Sequence, residues 1–210
     1  MPIRVALADD HVLVRQGLRS LLERERFQVV AEGSDGREIV RLVESLHPDV
    51  AVVDIRMPLL NGIDAVRELA RSCPKTRTIL LTQHEEDQYI YEALEAGVRG
   101  YVLKSQVASD LVQAIHQVAR GQVYLSPGVS RAIVEAYRSK SDRPVDPLSG
   151  RERQVLQLIA EGKSTKDVAV VLGVSVKTAE SHRSRLMHKL HIHETATLVR
   201  YAVRKGLVEP

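Results

Sequence analysis

The sequence predicts a parallel α/β domain followed by a smaller all-helical domain. The first observation is the apolar run Val50–Val53, which leads without alternation into Asp54, as in a strand buried on both faces. The second is that five such runs alternate with five helical periodicities as far as residue 121. The third is that only helical periodicity and helix-capping residues follow residue 147.

The elements of the first domain follow from where each apolar pattern starts and stops. We predict strands at residues 3–8, 27–31, 49–54, 78–82 and 100–104. Pro58 cannot continue a central strand, which ends the third strand near Asp54. The helices between them are limited by turn and cap residues, namely Asp35, His47-Pro48, Asn61-Gly62, Gly97 and Gly121.

Polar side chains stand at the ends of four strands, namely Asp9 and Asp10, Asp54, Thr82, and Lys104. The carboxyl ends of parallel strands share one edge of the sheet, where open α/β proteins bind their ligands. We therefore expect these five side chains to converge. Each one alone fits a cap or a surface position equally well, and a strand-terminal Asp54 that caps a turn is the alternative interpretation. The coincidence of four strand ends favours a site.

Three carboxylates in one cleft repel one another, at about 4 kcal/mol per pair for a ~4 Å separation and an effective dielectric of ~20. A divalent cation removes this repulsion, and a site of carboxylates with room for water favours Mg²⁺. A cation beside a carboxylate nucleophile is typical of phosphoryl transfer. Lys104 would pair with a phosphate on Asp54, and the Thr82 hydroxyl would donate to a phosphate oxygen.

The segments that carry this site resemble the receiver domain of bacterial two-component response regulators; they are Asp9-Asp10, Asp54-Ile55-Arg56-Met57-Pro58 with Asn61-Gly62, Leu81-Thr82, and Gly100-Tyr101-Val102-Leu103-Lys104. The resemblance covers residues 3–121 and implies a flavodoxin-like fold whose Asp54 is phosphorylated by a sensor histidine kinase. It also implies Mg²⁺ bound by Asp9, Asp10, Asp54 and the backbone carbonyl of Arg56. Thr82 and Tyr101 would form the switch pair, in which Thr82 moves toward the phosphate and Tyr101 turns inward. Ser105 departs from the family, where a proline often follows the lysine.

Arg56 and His84 lie two residues beyond Asp54 and Thr82. Our hypothesis is that their side chains flank the path of the water that hydrolyses the acyl phosphate, because both positions fall in loops beside the reacting atom. Solvated loop positions without such a role are the alternative for both residues.

Charge and linker composition divide the chain. Residues 1–125 carry 15 Lys and Arg against 18 Asp and Glu, whereas residues 126–210 carry 15 against 9, with four His besides. A basic second half predicts a polyanionic partner. Residues 122–147 form the predicted linker, with a helix from a Ser126 cap to about Tyr137 and a Ser- and Pro-rich tether after it. The predicted domains are therefore 1–121 and 148–210.

The second domain is predicted to contain four helices. Its capping and turn residues, in chain order, are Ser149 with Glu152 as a capping box, then Gly162, Thr165, Gly173 and Ser175. The third helix runs to about Leu190, and the fourth spans residues 195–205. A short helix, a glycine turn and a longer helix are typical of a helix-turn-helix.

The third helix of this domain has an apolar face and a face with several cations. Such a face is often only solvated, but a cationic helix behind a glycine turn, in the basic half of the chain, favours nucleic acid. Aromatic side chains that could stack on single strands are missing, which favours duplex DNA over RNA or single strands.

The stretches LSGRERQVL at 148–156, IAEGKS at 159–164 and SVKTAESH at 175–182 resemble the LuxR-type DNA-binding domain, so the whole chain is similar to NarL/FixJ-type response regulators. The resemblance implies a transcriptional regulator that forms a homodimer on phosphorylation or DNA binding. The unphosphorylated receiver would either cover the recognition helix or only withhold dimerisation. Glu180, Ser181 and Ser184 occupy base-facing positions, although several relatives carry a cation where Glu180 stands. The phosphate-contact positions are Lys166, Lys177, Thr178, Arg183, Arg185 and Lys189.

Composition limits the remaining classes. Cys73 is the only cysteine, which excludes an internal disulfide, and the sequence has no evident leader or membrane-spanning run, so we expect a cytoplasmic protein. A phosphatase or phosphotransferase that works through an aspartyl phosphate is one alternative, but Arg56 stands where its general acid would be. We expect no enzyme activity beyond self-phosphorylation and slow self-dephosphorylation. A phosphorylation-independent DNA-binding regulator with a vestigial receiver is the other alternative, and the complete acidic site argues against it.

Overall fold

The computed structural model describes residues 1–83, 87–127, 129 and 147–208. The chain divides into two compact units, and each is described by itself below. The domain limits at residues 121 and 147 stay a prediction. Among the helices within these described ranges, none is long and apolar enough to cross a lipid bilayer.

The first unit is built on a parallel sheet with the strand order β2-β1-β3-β4-β5-β6. Its strands are β1 Arg4–Ala8, β2 Gln28–Gly33, β3 Val50–Asp54, β4 Arg77–Thr82, β5 Gly100–Leu103 and β6 Tyr124–Leu125. β1 and β3 are neighbours in register from Val5 with Val50 to Ala8 with Val53, so that their carboxyl ends meet at one edge. The parallel α/β class predicted from the sequence is confirmed.

Helices connect these strands, namely α1 Val12–Arg24, α2 Gly36–Leu46, α3 Gly62–Ser72, α4 Asp87–Glu95 and α5 Val107–Ala119. α2 begins at Asp35, whose side chain accepts from the Glu38 N–H, and it ends at His47 in a left-handed conformation with φ 45°. Residues Val50–Val53 are fully buried, which is what a strand covered on both faces requires. The core is aliphatic apart from a few residues such as Phe27.

Within the described part of the chain, the sheet has six strands where the sequence predicted five. The additional strand β6 is only two residues long, too short to show the alternation by which strands are identified. The Tyr124 N–H donates to the Arg99 carbonyl at 2.9 Å, and the Ser126 N–H donates to the Tyr101 carbonyl at 3.0 Å. The fifth strand also ends one residue earlier than predicted, because Lys104 begins a single 3₁₀ turn that leads into α5.

The second unit contains α6 Gly150–Ala160, α7 Thr165–Leu172, α8 Val176–Leu190 and α9 Thr195–Arg204 around an aliphatic core. The capping box of Ser149 and Glu152 is confirmed. The prediction that Thr165 caps α7 is wrong, because Ser164 forms a second capping box with Asp167 and Thr165 is the first helical residue. Most of the helix predicted up to Tyr137, and the tether after it, lie outside the described residues.

Candidate functional site

Lys104 joins two of the strand ends in the first unit. Its Nζ lies 2.8 Å from Asp9 Oδ2 and 2.8 Å from Asp54 Oδ2. The three side chains are shielded from solvent, with exposed fractions of 13% for Lys104, 0% for Asp9 and 6% for Asp54. The three side chains meet because of the sheet order. The two carboxylates stand at the ends of the neighbouring strands β1 and β3, and β5 ends directly before the lysine. The structure therefore brings these three sequence-predicted residues into direct contact.

Burial dominates the electrostatics of Asp54. It raises the pKa of the Asp54 carboxyl to about 6, although the charge and hydrogen bond of Lys104 act in the opposite direction. Burial also acts to lower the pKa of Lys104, but the charges and hydrogen bonds of Asp54 and Asp9 outweigh it, so the pKa of Lys104 is raised. Lys104 thus stays cationic, and it offsets part of the repulsion between the carboxylates at this edge.

Asp9, Asp10 and His11 place three potential metal-ligand atoms within 4.8 Å of one another. His11 Nδ1 lies 2.7 Å from Asp10 Oδ1, and the His11 N–H donates to Asp9 Oδ1 at 2.9 Å. Carboxylate oxygens are the ligands that Mg²⁺ prefers, so the donor set fits this ion. Asp54 is connected to the group through Lys104. Sequence reasoning did not single out His11, because a histidine after an acidic pair carries no distinct signal.

The other predicted residues of the first unit lie on neighbouring elements. Thr82 ends β4, is buried, and pairs in the sheet with Leu103. Tyr101 on β5 is fully buried. Arg56 is half-buried in the loop after β3, and His84 lies outside the described residues.

Gly62 packs against the backbone at the end of β3, whereas the sequence indicated it only as part of a turn. A Cβ at this position would lie 2.1 Å from the backbone oxygen of Asp54. The Gly62 N–H donates to the Ile55 carbonyl at 2.8 Å, and the Asn61 side chain caps α3 by accepting from the Asp64 N–H at 2.9 Å. The start of α3 therefore packs directly on the backbone of Asp54, where only glycine fits.

In the second unit, α8 is buried on one side and polar on the other. Ala179 and Leu186 are buried. The predicted DNA contacts are exposed or half-buried, all on α8 except one on α7; they are Lys166 on α7 and Lys177, Thr178, Glu180, Ser181, Arg183, Ser184, Arg185 and Lys189 on α8. Gly173 forms the turn before this helix with φ 63°. A cationic helix presented after such a turn suits the major groove of duplex DNA.

Two arginines of α8 already have partners within the second unit. Arg183 Nη2 donates to Thr195 Oγ1 at 2.9 Å, and Arg185 Nη2 donates to Ser181 Oγ at 2.9 Å. These exposed contacts cost little to exchange for a phosphate, since surface hydrogen bonds compete with water. Burial, followed by the charges of Arg185 and Arg151, lowers the pKa of His182 on the same helix.

Lys189 is paired with a buried carboxylate, that of Glu152. Its Nζ lies 2.7 Å from Glu152 Oε2, and the exposed fractions of the two side chains are 41% and 5%. The same carboxylate oxygen accepts from the Ser149 N–H and from the Ser149 hydroxyl, each at 2.8 Å. Lys189 thereby ties the end of α8 to the start of α6, a contact between residues 37 positions apart. Its ammonium serves the fold of the unit in addition to any role at phosphates.

We expect Glu152→Gln to destabilise the second unit by about 1–3 kcal/mol at pH 7, because it weakens three hydrogen bonds to a buried carboxylate. Burial acts to raise the pKa of Glu152, but the bonds from Lys189 and Ser149 lower it from 4.5 to about 2. Since the folded-state pKa is depressed, this stabilisation is present above pH 4.5 and is lost as the pH falls toward 2.

Hydrogen exchange of the α6 and α8 amides, measured in the full-length protein, reports this difference. The exposed Glu194→Gln is the matched control and should leave the exchange rates unchanged. A difference between wild type and Glu152→Gln that stays constant from pH 7 to about pH 3 would contradict the ion pair.

The two units match two protein-family models. Residues 5–116 match the response regulator receiver domain, and residues 146–202 match the luxR family of bacterial regulatory proteins. The first match contains Asp9, Asp54 and Lys104, and the second contains all of α8.

Relatives share the whole length of the chain. Oxygen regulatory protein NreC of Staphylococcus epidermidis is 35% identical over 217 residues, which cover 99% of this chain and 100% of that protein. Transcriptional regulatory protein MctR of Rhizobium johnstonii is 38% identical over 207 residues, which cover 98% and 95%. The solved RcsB response regulator of Salmonella typhimurium is 30% identical with a TM-score of 0.61, over 95% of this chain and 97% of that one. RcsB in complex with DNA is similar to the same degree, with 29% identity, a TM-score of 0.60 and coverage of 96% and 98%.

Proposed function

This chain belongs to the two-component response regulators that join a receiver domain to a LuxR-type DNA-binding domain, and from that premise we propose that phosphorylation of Asp54 by a sensor histidine kinase controls its binding to duplex DNA. Members of this family are DNA-binding transcriptional regulators and not classical enzymes. The observation that carries the proposal is the contact of one half-buried lysine with two buried carboxylates in a chain that also presents a cationic helix.

Asp54 supplies the nucleophile. One oxygen of its carboxylate attacks the phosphorus of a phosphohistidine, a P–O bond forms, and the P–N bond breaks to return the imidazole to the kinase. With acetyl phosphate as donor, the leaving group is acetate. Asp9, Asp10, Asp54 and the backbone carbonyl of Arg56 would hold Mg²⁺, which neutralises charge on the phosphoryl group when bound. The cluster that contains Asp9 and Asp10 supports the first two of these ligands.

Lys104 is the residue whose partners change after phosphorylation. Its ammonium is shared between Asp9 and Asp54, and a phosphoryl group on Asp54 carries up to two negative charges, in place of the single charge of the carboxylate, and three acceptor oxygens that compete for it. The buried Thr82 hydroxyl would donate to one of these oxygens. Tyr101 is fully buried already, so we assign the effect of the phosphate to the relative populations of two receiver states.

The DNA-binding half of the proposal rests on α8. Glu180, Ser181 and Ser184 would face the bases, where a carboxylate can accept from the amino group of cytosine. The phosphate contacts would come from Lys166, Lys177, Thr178, Arg183 and Arg185, with Lys189 limited by its bond to Glu152. RcsB has been solved as dimers bound to DNA, which supports a homodimer on two half-sites for this chain as well.

A duplex selection tests the proposal. Full-length protein is incubated with Mg²⁺, acetyl phosphate and a randomised duplex library, and the affinity for a recovered duplex is then measured with and without acetyl phosphate at one salt concentration. We expect a tightening of about tenfold with the phosphodonor. The logarithm of the binding constant should fall linearly with the logarithm of salt concentration.

Two outcomes would contradict the proposal in different ways. Equal affinity with and without acetyl phosphate would mean that the receiver does not gate DNA binding, which is the vestigial-receiver alternative. Failure to enrich any duplex under either condition would contradict the proposal that the protein binds duplex DNA.

A further inference from the structure

The end of the first unit contains a polar cluster that the phosphorylation chemistry does not use. The Ser126 hydroxyl donates to Asp110 Oδ2 at 2.8 Å. Tyr124 is also hydrogen-bonded to the Asp110 side chain; burial first, and then the charge and hydrogen bond of Asp110, raise the pKa of Tyr124 to about 12. Ser126 is fully buried, and Tyr124 is 8% exposed. One carboxylate on the first turn of α5 therefore holds both ends of the segment 124–126.

The same serine is bonded to the strand that carries the switch residue. The Ser126 N–H donates to the carbonyl of Tyr101 at 3.0 Å, and the N–H of Leu103 approaches Ser126 Oγ at 3.4 Å. Lys104 follows Leu103 directly in the chain. Ser126 therefore contacts the backbone of the last residues of β5, immediately before the lysine that would bind the phosphate. A displacement of the β5 backbone at Tyr101 or Leu103 would therefore strain or break a contact of Ser126.

The cluster lies where the chain leaves the sheet of the first unit. β6 is the last strand of the sheet, lies at its edge, and spans only Tyr124–Leu125. A two-residue edge strand is marginal by itself, so the side-chain bonds to Asp110 add to the backbone bonds that hold it on β5. The chain continues from Ser126 through Pro127 toward the second unit.

We propose that Ser126 and Asp110 are positioning residues that couple the phosphorylation state of Asp54 to the segment leading into the DNA-binding domain. This inference rests on the proposed function and adds the route by which the receiver acts on its output. The bonds of Ser126 to Tyr101 and Leu103 make the position of the segment 124–126 depend on the conformation of β5. Asp110 holds this segment on α5, so that a change in β5 alters the path of the chain after Ser126.

The test measures two quantities in the full-length protein, namely the phosphate incorporated on Asp54 and the change in DNA affinity that follows. Wild type, Ser126→Ala, Asp110→Ala and Asp110→Asn are each phosphorylated with acetyl phosphate and Mg²⁺, and phosphate on Asp54 is quantified in phosphate-affinity gels. The affinity for the selected duplex is measured with and without the donor. We expect Ser126→Ala and Asp110→Ala to incorporate phosphate within about twofold of wild type, while their phosphorylation-dependent tightening falls at least about fivefold. Asp110→Asn keeps an acceptor oxygen and should retain more tightening than Asp110→Ala.

Ser72→Ala is the matched control, because Ser72 is an exposed serine at the end of α3. It should leave both phosphate incorporation and tightening unchanged. Wild-type tightening in both alanine variants would overturn the inference, and so would an equal loss in Asp110→Asn and Asp110→Ala, which would indicate a structural role alone. If Ser126→Ala does not fold, the comparison of the two Asp110 variants decides. No tightening in wild type would instead refute the proposed function.

Discussion

Replacement of Asp54 by Asn is expected to decrease the rate of phosphate incorporation from a phosphodonor by a factor on the order of 10³ or more. The amide of asparagine lacks the anionic oxygen that attacks phosphorus, and its shape is otherwise close to that of aspartate. The fold should survive, because Lys104 keeps Asp9 as its partner at 2.8 Å and a buried carboxyl whose pKa is raised to about 6 is lost from the site.

Quantification of acid-stable, hydroxylamine-sensitive label from radioactive acetyl phosphate measures this effect. Asp49→Asn is the matched control, since Asp49 is an exposed aspartate at the opposite end of β3, where its side chain accepts from the Arg4 N–H at 2.8 Å. This control should be labelled like wild type. Full labelling of Asp54→Asn would place the phosphoacceptor on another residue.

The largest expected loss of stability comes from Gly62→Ala. The added Cβ would meet the backbone oxygen of Asp54 at 2.1 Å, and backbone atoms cannot rotate away as a flexible side chain can. Overpacking of this kind costs about 3 kcal/mol or more, which corresponds to a decrease of roughly 10 °C in the melting temperature of the first unit. Phosphate incorporation should fall as well, because relief of the clash displaces the acceptor residue.

Differential scanning calorimetry of the full-length protein measures this change, with Gly17→Ala as the control. Gly17 lies in α1 and has no atom within 4 Å of its added Cβ, so alanine there should stabilise the helix by about 0.5–1 kcal/mol. Opposite signs for the two substitutions are the expected result. A melting temperature of Gly62→Ala equal to that of wild type would show that the loop after β3 can relax.

The sequence by itself determined the fold class and the order of the elements. A short run of mostly β-branched apolar residues without alternation favours a strand covered on both faces, and Val50–Val53 are fully buried. Capping residues act within one helical turn, so Asp35, Ser149 and Ser175 could be identified locally. The polar residues at the strand ends were also visible, because the edge at which parallel strands end follows from topology alone.

Only the tertiary structure decided which partners these residues have. Lys104 contacts Asp9 across 95 residues, and Lys189 contacts Glu152 across 37, so no local pattern could assign either pair. β6 depends on hydrogen bonds to β5 and not on its own two residues. Gly62 is required by the approach of one backbone to another, which leaves no periodic or compositional trace. Local signals act over a few residues, whereas contacts between distant residues exist only once the chain has packed.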